Sequence, residues 1–398
     1  MSKPRFCFEY VFTYVLASFI ITQQVPFLTG LGYDALERGI LVAVCQVVAI
    51  ALQIIVGYLC DQRHWYKQLF VAVVVVAAVS SFIFFSIQVK IFALQMCLLT
   101  ISGAFTNSLY GVTDNWLFAY PNGRKEFSFI RAFGSVGWAI GSIVIASLIS
   151  WFGYQGMAAG VLLSAVVLLG MGCLIKKPPV TDEQKKNATA IHVSDIKVLV
   201  RNKKYVLTVV ILTLIVFATN NTMYSVVDKI MLLGGSHTEV GTKAMIHGFV
   251  EIPFYLFGAL LIRRFGTKRL LSFAALTVFI QFVMYACTTT VSGMIWLTLW
   301  QAVTNTSYML ANRDLLYRYS DERLKSTGML LGISVHYGLG NSIMPVLGGY
   351  LTTHFGVNVT LTFAAVSAFL AFLLSMVLRR MDRESDTILE EPTKEQAS

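Results

Sequence analysis

The sequence predicts an all-α integral membrane protein of twelve transmembrane helices, built as two six-helix halves that repeat in parallel. Three observations support this prediction. The 398 residues are 56% hydrophobic and only 13% charged, whereas soluble domains are about 25% charged. Apolar stretches of about 20 residues, the length that crosses a bilayer, recur along the whole chain. Several short motifs also reappear roughly 200 positions later, which is the signature of an internal repeat.

The predicted spans are numbered by their order along the chain. Span 1 follows two basic residues, but it lacks the cleavage site of a signal peptide, so we expect it to be retained. A polar stretch after span 6 divides the spans six and six, and it defines four expected segments. These are an N-terminal half at 1–178, a cytoplasmic basic linker at 179–204, a C-terminal half at 205–380 and a cytoplasmic tail at 381–398. The spans cover residues 8–28, 38–60, 68–88, 92–118, 128–151, 155–175, 206–227, 243–262, 270–289, 293–316, 328–353 and 358–378.

The net charge of +10 comes from basic residues in alternate loops, and not from one basic face, so we expect no nucleic-acid partner. Of the 31 Lys and Arg residues, 25 lie at the N-terminus, in even-numbered loops or at the C-terminus. The positive-inside rule then places both termini in the cytoplasm. We therefore expect a multi-pass protein of the cell membrane, meaning the inner or plasma membrane, surrounded by lipid.

The internal repeat consists of four matches in chain order. Two equivalent six-helix halves in the same orientation are the arrangement of major facilitator transporters, which work by alternating access with a solute site between the halves. The matches pair Thr22-Gln23-Gln24 with Thr219-Asn220-Asn221, Gly57 to Lys67 with Gly258 to Lys268, Thr106-Asn107-x-x-Tyr110 with Thr304-Asn305-x-x-Tyr308, and Ser135-Val136-x-Trp138-x-x-Gly141 with Ser334-Val335-x-Tyr337-x-x-Gly340.

Spans 4 and 10 each carry a polar stripe at helical spacing: Asn107, Tyr110 and Asp114 in span 4, and Asn305, Tyr308 and Asn312 in span 10. Such groups are too costly to face lipid, so the stripes should face protein or a watered cavity. We interpret them as solute-binding groups, and helix-to-helix hydrogen bonding is the alternative. The neighbouring amides Gln23, Gln24, Asn220 and Asn221 extend this interpretation to spans 1 and 7, although at most two or three of them share an inward face.

Three further sites are predicted. In span 5, Arg131 is expected to pair with Asp114 and bind solute hydroxyls, with Trp138 stacking on the solute; an interfacial positive charge is the alternative for Arg131. In span 8, His247 and Glu251 at i and i+4 are candidates for proton coupling. The alternative for His247 is a position near the outer membrane surface, where it would only be solvated. Asp61 and Arg63, at the cytoplasmic end of span 2, are candidates for gating.

Several classes of cofactor are not expected. The six cysteines show neither metal-ligand nor disulfide spacing. The chain has no Gly-x-x-x-x-Gly-Lys-Ser/Thr motif, so ATP is not the direct energy source. We expect no metal, no cofactor and no enzyme activity, and the expected partners are a small-molecule substrate and protons.

The segment from Arg131 to Trp138 (Arg-Ala-Phe-Gly-Ser-Val-Gly-Trp) resembles the helix 5 motif of the lactose permease group of the major facilitator superfamily, the oligosaccharide:proton symporters. The resemblance implies that Arg131 pairs with Asp114 to bind a sugar and that Trp138 stacks on it. The C-terminal half departs from that group. The proton pair in helix 10 of the lactose permease group would fall near Gln301 and Thr304 in this chain. The helix 8 carboxylate of that group would fall near Gly248, and Glu251 lies one turn further along. Nucleoside and aromatic-acid symporters resemble the chain nearly as well.

Three hypotheses about function follow. The first is proton-coupled symport of a small polar solute, namely a sugar, oligosaccharide, glycoside or nucleoside. The second is a drug/proton antiporter of the same fold; such exporters carry a Gly-Pro-x-x-Gly-Gly element in helix 5, whereas span 5 has no proline. The third is a receptor or sensor that does not transport, and the chain has no large extramembrane domain that would support this role.

Overall fold

The computed structural model of the protein describes residues 3–120, 122–176, 198–256, 262, 264–320 and 325–390. All regular elements in these ranges are helices. Most of the predicted linker, residues 177–197, and the end of the tail, residues 391–398, lie outside the described residues. The boundaries of the halves therefore stay a prediction.

The described helices correspond to the twelve predicted spans. Span 1 is Lys3–Ile21 and Gln24–Gly30, span 2 Ala35–Arg63, span 3 Tyr66–Ser86, span 4 Phe92–Phe118, spans 5 and 6 Gly123–Leu174, span 7 Lys203–Asn220 and Ser225–Leu232, span 8 His237–Leu256, span 9 Thr267–Cys287, span 10 Val291–Trp296 with the 3₁₀ turn Leu297–Trp300 and Gln301–Tyr319, span 11 Lys325–Phe355, and span 12 Val357–Glu390. The helix of span 12 extends well into the segment predicted as a tail.

Eight of the described helices are both long enough and apolar enough to cross a bilayer. One of them, Phe129–Leu174, comprises spans 5 and 6, because Gly153 (φ 64°, ψ −167°) breaks the helix between them. Gly is required there because this left-handed backbone conformation is unfavourable for residues with a Cβ. The described residues of spans 8, 10 and 11 are not among these eight, and these spans carry many of the polar side chains described below.

Spans 1 and 7 are each interrupted at the repeated polar motif. The first helix of span 1 ends at Ile21 and a second begins at Gln24, while span 7 is interrupted between Asn220 and Ser225. These breaks leave backbone carbonyls without a hydrogen bond inside the helix, and lipid cannot supply one. In span 7, the buried ammonium of Lys243 donates to the carbonyl of Thr222 at 2.7 Å, and Lys229 donates to the carbonyls of Tyr285 and Ala286 at the end of span 9.

The buried apolar residues form two separate clusters. One is built almost wholly from spans 1 to 6, from Phe6 to Ile175, and the other from spans 7 to 12, from Leu199 to Leu378. Each half therefore has a hydrophobic core of its own. Two rigid halves with a polar surface between them can rotate against each other without unpacking either core.

Glycines allow close packing at equivalent places in the two halves. A Cβ at Gly141 of span 5 would collide with Ser18 of span 1, and a Cβ at Gly340 of span 11 would collide with Val216 of span 7. These contacts lie at matching positions of the repeat. The repeat therefore preserves a close helix contact in both halves.

The halves touch each other at one side of the membrane. We call the side where the chain begins, near Lys3, the terminus side, and the opposite side, near Ala35 and Phe355, the far side. At the far side, a Cβ at Gly39 or Gly349 would collide with the backbone of the partner helix, because spans 2 and 11 pack directly together. Spans 5 and 8 pack in the same way, with Gly241 against Ser142.

Among the described residues, the polar contacts at the terminus side stay within a half. In the N-terminal half, Lys3 pairs with Glu126 at 2.6 Å. In the C-terminal half, Asp382 pairs with Lys204 and Lys268, and Asn202 donates to the carbonyl of Tyr319. These contacts brace each half at that side without joining it to the other.

The packing of span 5 on span 1 yields a first prediction. Replacing Gly137 with alanine places a Cβ against the carbonyl of Val11, and overpacking of this kind costs about 1–3 kcal/mol. We expect the thermal unfolding midpoint of the purified protein in detergent to fall by several degrees. The matched control is Gly170→Ala in span 6, where no atom lies within 4 Å of the added Cβ. Equal midpoints for the two variants would contradict the packing.

Candidate functional site

The candidate site lies where spans 1, 4 and 5 of one half face spans 8, 10 and 11 of the other. Spans 5 and 8 set its geometry. They run antiparallel, and a Cβ at Gly248 would lie 2.9 Å from both the carbonyl oxygen of Ser135 and the Cβ of Ala139. One turn from this contact, span 5 carries Arg131 and span 8 carries Glu251. Helix packing therefore brings these two residues to the same level of the membrane.

The N-terminal side of the site is a carboxylate and a guanidinium joined by tyrosines. Tyr10 donates to Oδ1 of Asp114 at 2.7 Å. The guanidinium of Arg131 lies over the ring of Tyr14, 4.3 Å from its centroid. Tyr14 stacks with Tyr10 at 6.4 Å and contacts Tyr110 at 4.8 Å. The predicted residues Tyr110, Asp114 and Arg131 thus belong to one cluster.

The C-terminal side is organised around Glu251. Its Oε1 atom lies 3.0 Å from Nε2 of His247 and also accepts a hydrogen bond from Asn305 of span 10. Glu251 is 7% exposed, so it is nearly removed from solvent. Nδ1 of His247 is buried without a hydrogen-bond partner among the described residues. The sequence predicted His247 and Glu251 as a pair and Asn305 separately, and the fold brings all three together.

Charges interact across the interface between the halves. The guanidinium of Arg131 acts electrostatically on the carboxylate of Glu251, and Arg313 acts on that of Asp114. Each pair joins a residue of one half to a residue of the other. A rotation of the halves would therefore change both interactions at once.

Two aromatic residues predicted for the site, Trp138 and Tyr308, differ in their surroundings. Trp138 is partly buried, and its indole Nε1 has no hydrogen-bond partner among the described residues. Tyr308 is buried between spans 10 and 11, where its ring meets those of His336 and Tyr337 edge-on. Trp138 is therefore a free donor within the N-terminal half, while Tyr308 packs inside the C-terminal half.

The remaining amides have hydrogen bonds of their own. Asn220 donates to Asn341 of span 11 at 2.9 Å, while Asn107 donates to the carbonyl of Gly103 in its own helix. At the broken helix ends, Asn221 donates to the carbonyl of Phe217, and Gln23 lies 3.2 Å from His237. The repeated motif in spans 1 and 7 therefore supports the helix breaks.

The proposed gating residues lie on the terminus side. Arg63 is exposed, with its guanidinium 5.8 Å from the ring centroid of Trp65, and the side chain of Asp61 lies outside the described residues. The sequence prediction missed a different pair on the far side: Arg38 of span 2 and Asp228 of span 7 form an ion pair of 2.6 Å. We call this pair the far-side clamp, because it joins the two halves.

The clamp lies beside a cavity of only about 20 Å³, lined also by Asn221, Tyr224 and Ser225. A space of this size holds about one water molecule, so no solute fits beside the clamp. The sequence signal for the Arg38–Asp228 pair was Asp228, a lone carboxylate in the apolar second helix of span 7.

Glu9 of span 1, which is fully buried, was also missed from the sequence. The sequence signal for Glu9 was that it is the single acidic residue of that span. Among the described residues, no group of three His, Cys, Asp or Glu side chains is placed to hold a metal ion.

Comparison with known proteins identifies the family. The profile of the MFS_1 like family matches residues 7–365. The maltose permease of Geobacillus stearothermophilus is 21% identical over 350 residues, which cover 87% of this chain and 86% of that permease.

Solved structures share the fold. The nucleoside transporter NupG superposes with a TM-score of 0.76 at 13% identity, covering 96% of this chain and 99% of NupG. A bacterial homologue of the lysosomal transporter Spinster, in an inward-facing and occupied conformation, gives a TM-score of 0.72 at 11% identity, covering 95% of this chain and 96% of that one. These similarities confirm the predicted all-α fold of twelve helices in two halves.

The far-side clamp yields the second prediction. Arg38→Gln leaves Asp228 without its partner in a mostly buried position, and loss of one partner of a buried pair costs about 3–5 kcal/mol. The state closed at the far side should therefore become less populated. We expect a Cys introduced at Thr352, beside the cavity, to react at least tenfold faster with a membrane-impermeant maleimide, after subtraction of labelling without that Cys.

Two controls accompany this measurement. The exchange Arg38→Asp with Asp228→Arg should bring the rate back towards that of the parent. Lys90→Gln breaks an ion pair with Glu37 that stays within one half, so it should leave the rate unchanged. Unaltered labelling in Arg38→Gln would contradict the assignment of a clamp.

Proposed function

Since the chain belongs to the MFS_1 like family of membrane transporters, we propose that it is a secondary active transporter that carries a small polar solute together with protons by alternating access. The observation that carries the proposal is the site divided between the halves. Arg131 and Asp114 come from one half, and Glu251, His247 and Asn305 come from the other. A solute held between them would be exposed to either side as the halves rotate.

The solute class follows from the chemistry of the lining. A guanidinium fork, carboxylates and amides bind hydroxyl groups, and Trp138 and Tyr110 offer aromatic faces for a sugar ring or a base. This combination favours a sugar, oligosaccharide or glycoside. The similarity to a maltose permease supports the same class. A nucleoside, which has both hydroxyls and an aromatic base, is the alternative that this lining also favours.

We assign proton coupling to Glu251 with His247. In the observed state Arg131 acts on Glu251 across the interface, and an opposite charge stabilises an ionised carboxylate. Opening the far side would separate spans 5 and 8 and withdraw Arg131, so Glu251 would then take up a proton. Closing that side would return Arg131 and release the proton towards the terminus side. Protonation would thus follow the rotation of the halves.

The direction of transport follows from the topology. The excess of Lys and Arg near the terminus side places that side in the cytoplasm. Contact between the halves at the far side then makes the observed arrangement the state that is closed to the outside. We propose a multi-pass protein of the cell membrane with cytoplasmic termini, working as an importer.

The third prediction tests coupling directly. Lightly buffered cells overproducing the protein are offered a panel of sugars, glycosides and nucleosides while the external pH is recorded. We expect alkalinisation with one solute class, and its loss in Glu251→Gln. The matched control is Asp314→Asn, because Asp314 is partly exposed and pairs with Arg318 of its own helix.

Other outcomes of this assay have clear meanings. A response to nucleosides alone would identify the alternative solute. No response to any solute, together with increased resistance of the cells to lipophilic cations, would reject symport in favour of drug/proton antiport.

The fourth prediction concerns Arg131. Arg131→Lys keeps the charge but removes the planar fork, and hydrogen bonds to charged groups contribute about 1.5–3 kcal/mol. We expect the KM for uptake to rise roughly 10- to 100-fold. Arg379→Lys, on span 12 at the surface of the C-terminal half, is the control and should leave KM unchanged. An unchanged KM in Arg131→Lys would remove this residue from the solute site.

A further inference from the structure

Glu9 has an environment unlike that of any carboxylate assigned above. It lies on span 1, six residues after Lys3, and it has no exposed surface. Its Oε1 atom accepts hydrogen bonds from Thr13 at 3.2 Å and from Thr113 of span 4 at 3.1 Å. Its Oε2 atom is buried without a hydrogen-bond partner among the described residues.

The cations nearest to Glu9 along the chain are engaged elsewhere. Lys3 pairs with Glu126, and Arg5 donates to the carbonyl of Leu174. On span 5, which packs against span 1, the guanidinium of Arg131 lies over Tyr14. None of these contacts places a positive charge next to the Glu9 carboxyl group.

Asp114 of span 4 and Tyr10 and Tyr14 of span 1 are titratable neighbours of Glu9. Asp114 follows Thr113, which is itself bonded to Glu9, and Asp114 accepts a hydrogen bond from Tyr10. A negative charge on Asp114 opposes a second negative charge on Glu9. An ionised Glu9 would therefore be buried, unpaired on one oxygen and repelled by its neighbour, which is far more costly than a neutral acid with one unsatisfied donor.

We propose that Glu9 is protonated in the observed state and is a second proton-carrying group of the transport cycle, linked to the solute site through Asp114. Glu9 keeps its proton while Asp114 is ionised. A solute that binds Asp114 and Arg131 changes the charge next to Glu9. This changes the affinity of Glu9 for its proton. The role in the cycle rests on the function proposed above, whereas the protonation state does not.

The first test is infrared spectroscopy of the purified protein at pH 7, in dodecyl maltoside, a detergent without a carbonyl group. A protonated carboxyl group has a C=O stretch that is separate from the amide and carboxylate bands and shifts in D₂O. We expect wild type to show this band and Glu9→Gln to lose it. Glu126→Gln, which removes a partly exposed, ion-paired glutamate of the same half, should keep it.

Folding is checked by circular dichroism and monodisperse elution, and Glu9→Asp is a second variant that retains a titratable group. The band should persist in Glu9→Asp at a shifted position. A band that is unchanged by Glu9→Gln, or absent from wild type, would overturn the proposal.

The second test separates this inference from the proposed function. Glu9→Gln in proteoliposomes should still exchange labelled solute across the membrane, but should lose accumulation driven by a proton gradient. Accumulation equal to wild type would overturn the role of Glu9 in the cycle. If no solute of the panel is transported by wild type while the infrared band still depends on Glu9, the proposed function fails and the protonated site stands.

Discussion

The close packing of span 8 on span 5 is the constraint on which the site depends. Gly248 lies so near the backbone of Ser135 that no side chain fits between the helices. This contact belongs to the interface between the halves. It also fixes the separation of the turns that carry Arg131 and Glu251. The packing of spans 5 and 8 and the electrostatics of the candidate site therefore depend on the same contact.

The cost of polar groups in lipid explains the composition of the spans. Spans 8, 10 and 11 hold His247, Glu251, Asn305, Asn312 and His336, and their described residues are not among the eight helices that are long and apolar enough to cross a membrane. Some of their polar groups are bonded to one another or to backbone, as with Nδ1 of His336 and the carbonyl of Gly332. The candidate site is thus built partly from the helices that are least suited to face lipid.

The sequence predicted the fold because apolar length, loop charge and the repeat are each local patterns. It also predicted Glu251, His247 and Asn305 as polar residues in apolar spans, although their mutual contacts depend on tertiary packing. It could not separate two roles for Gln23 and Asn221, because a polar residue that supports a broken helix has the same pattern as one that binds solute. It missed Glu9 and the Arg38–Asp228 pair, since a single charge near the end of a span resembles an interfacial residue until the fold shows its partner.

The lysine beside the far-side clamp connects it to the outer surface of the protein. Lys229 follows Asp228 directly, and it donates to the carbonyls of Tyr285 and Ala286 at the end of span 9. The preceding residues of span 9, Val283 and Met284, are exposed on the apolar surface. The ion pair between spans 2 and 7 is therefore linked to the end of span 9 by two hydrogen bonds, so three helices from both halves meet at the point where the halves are joined.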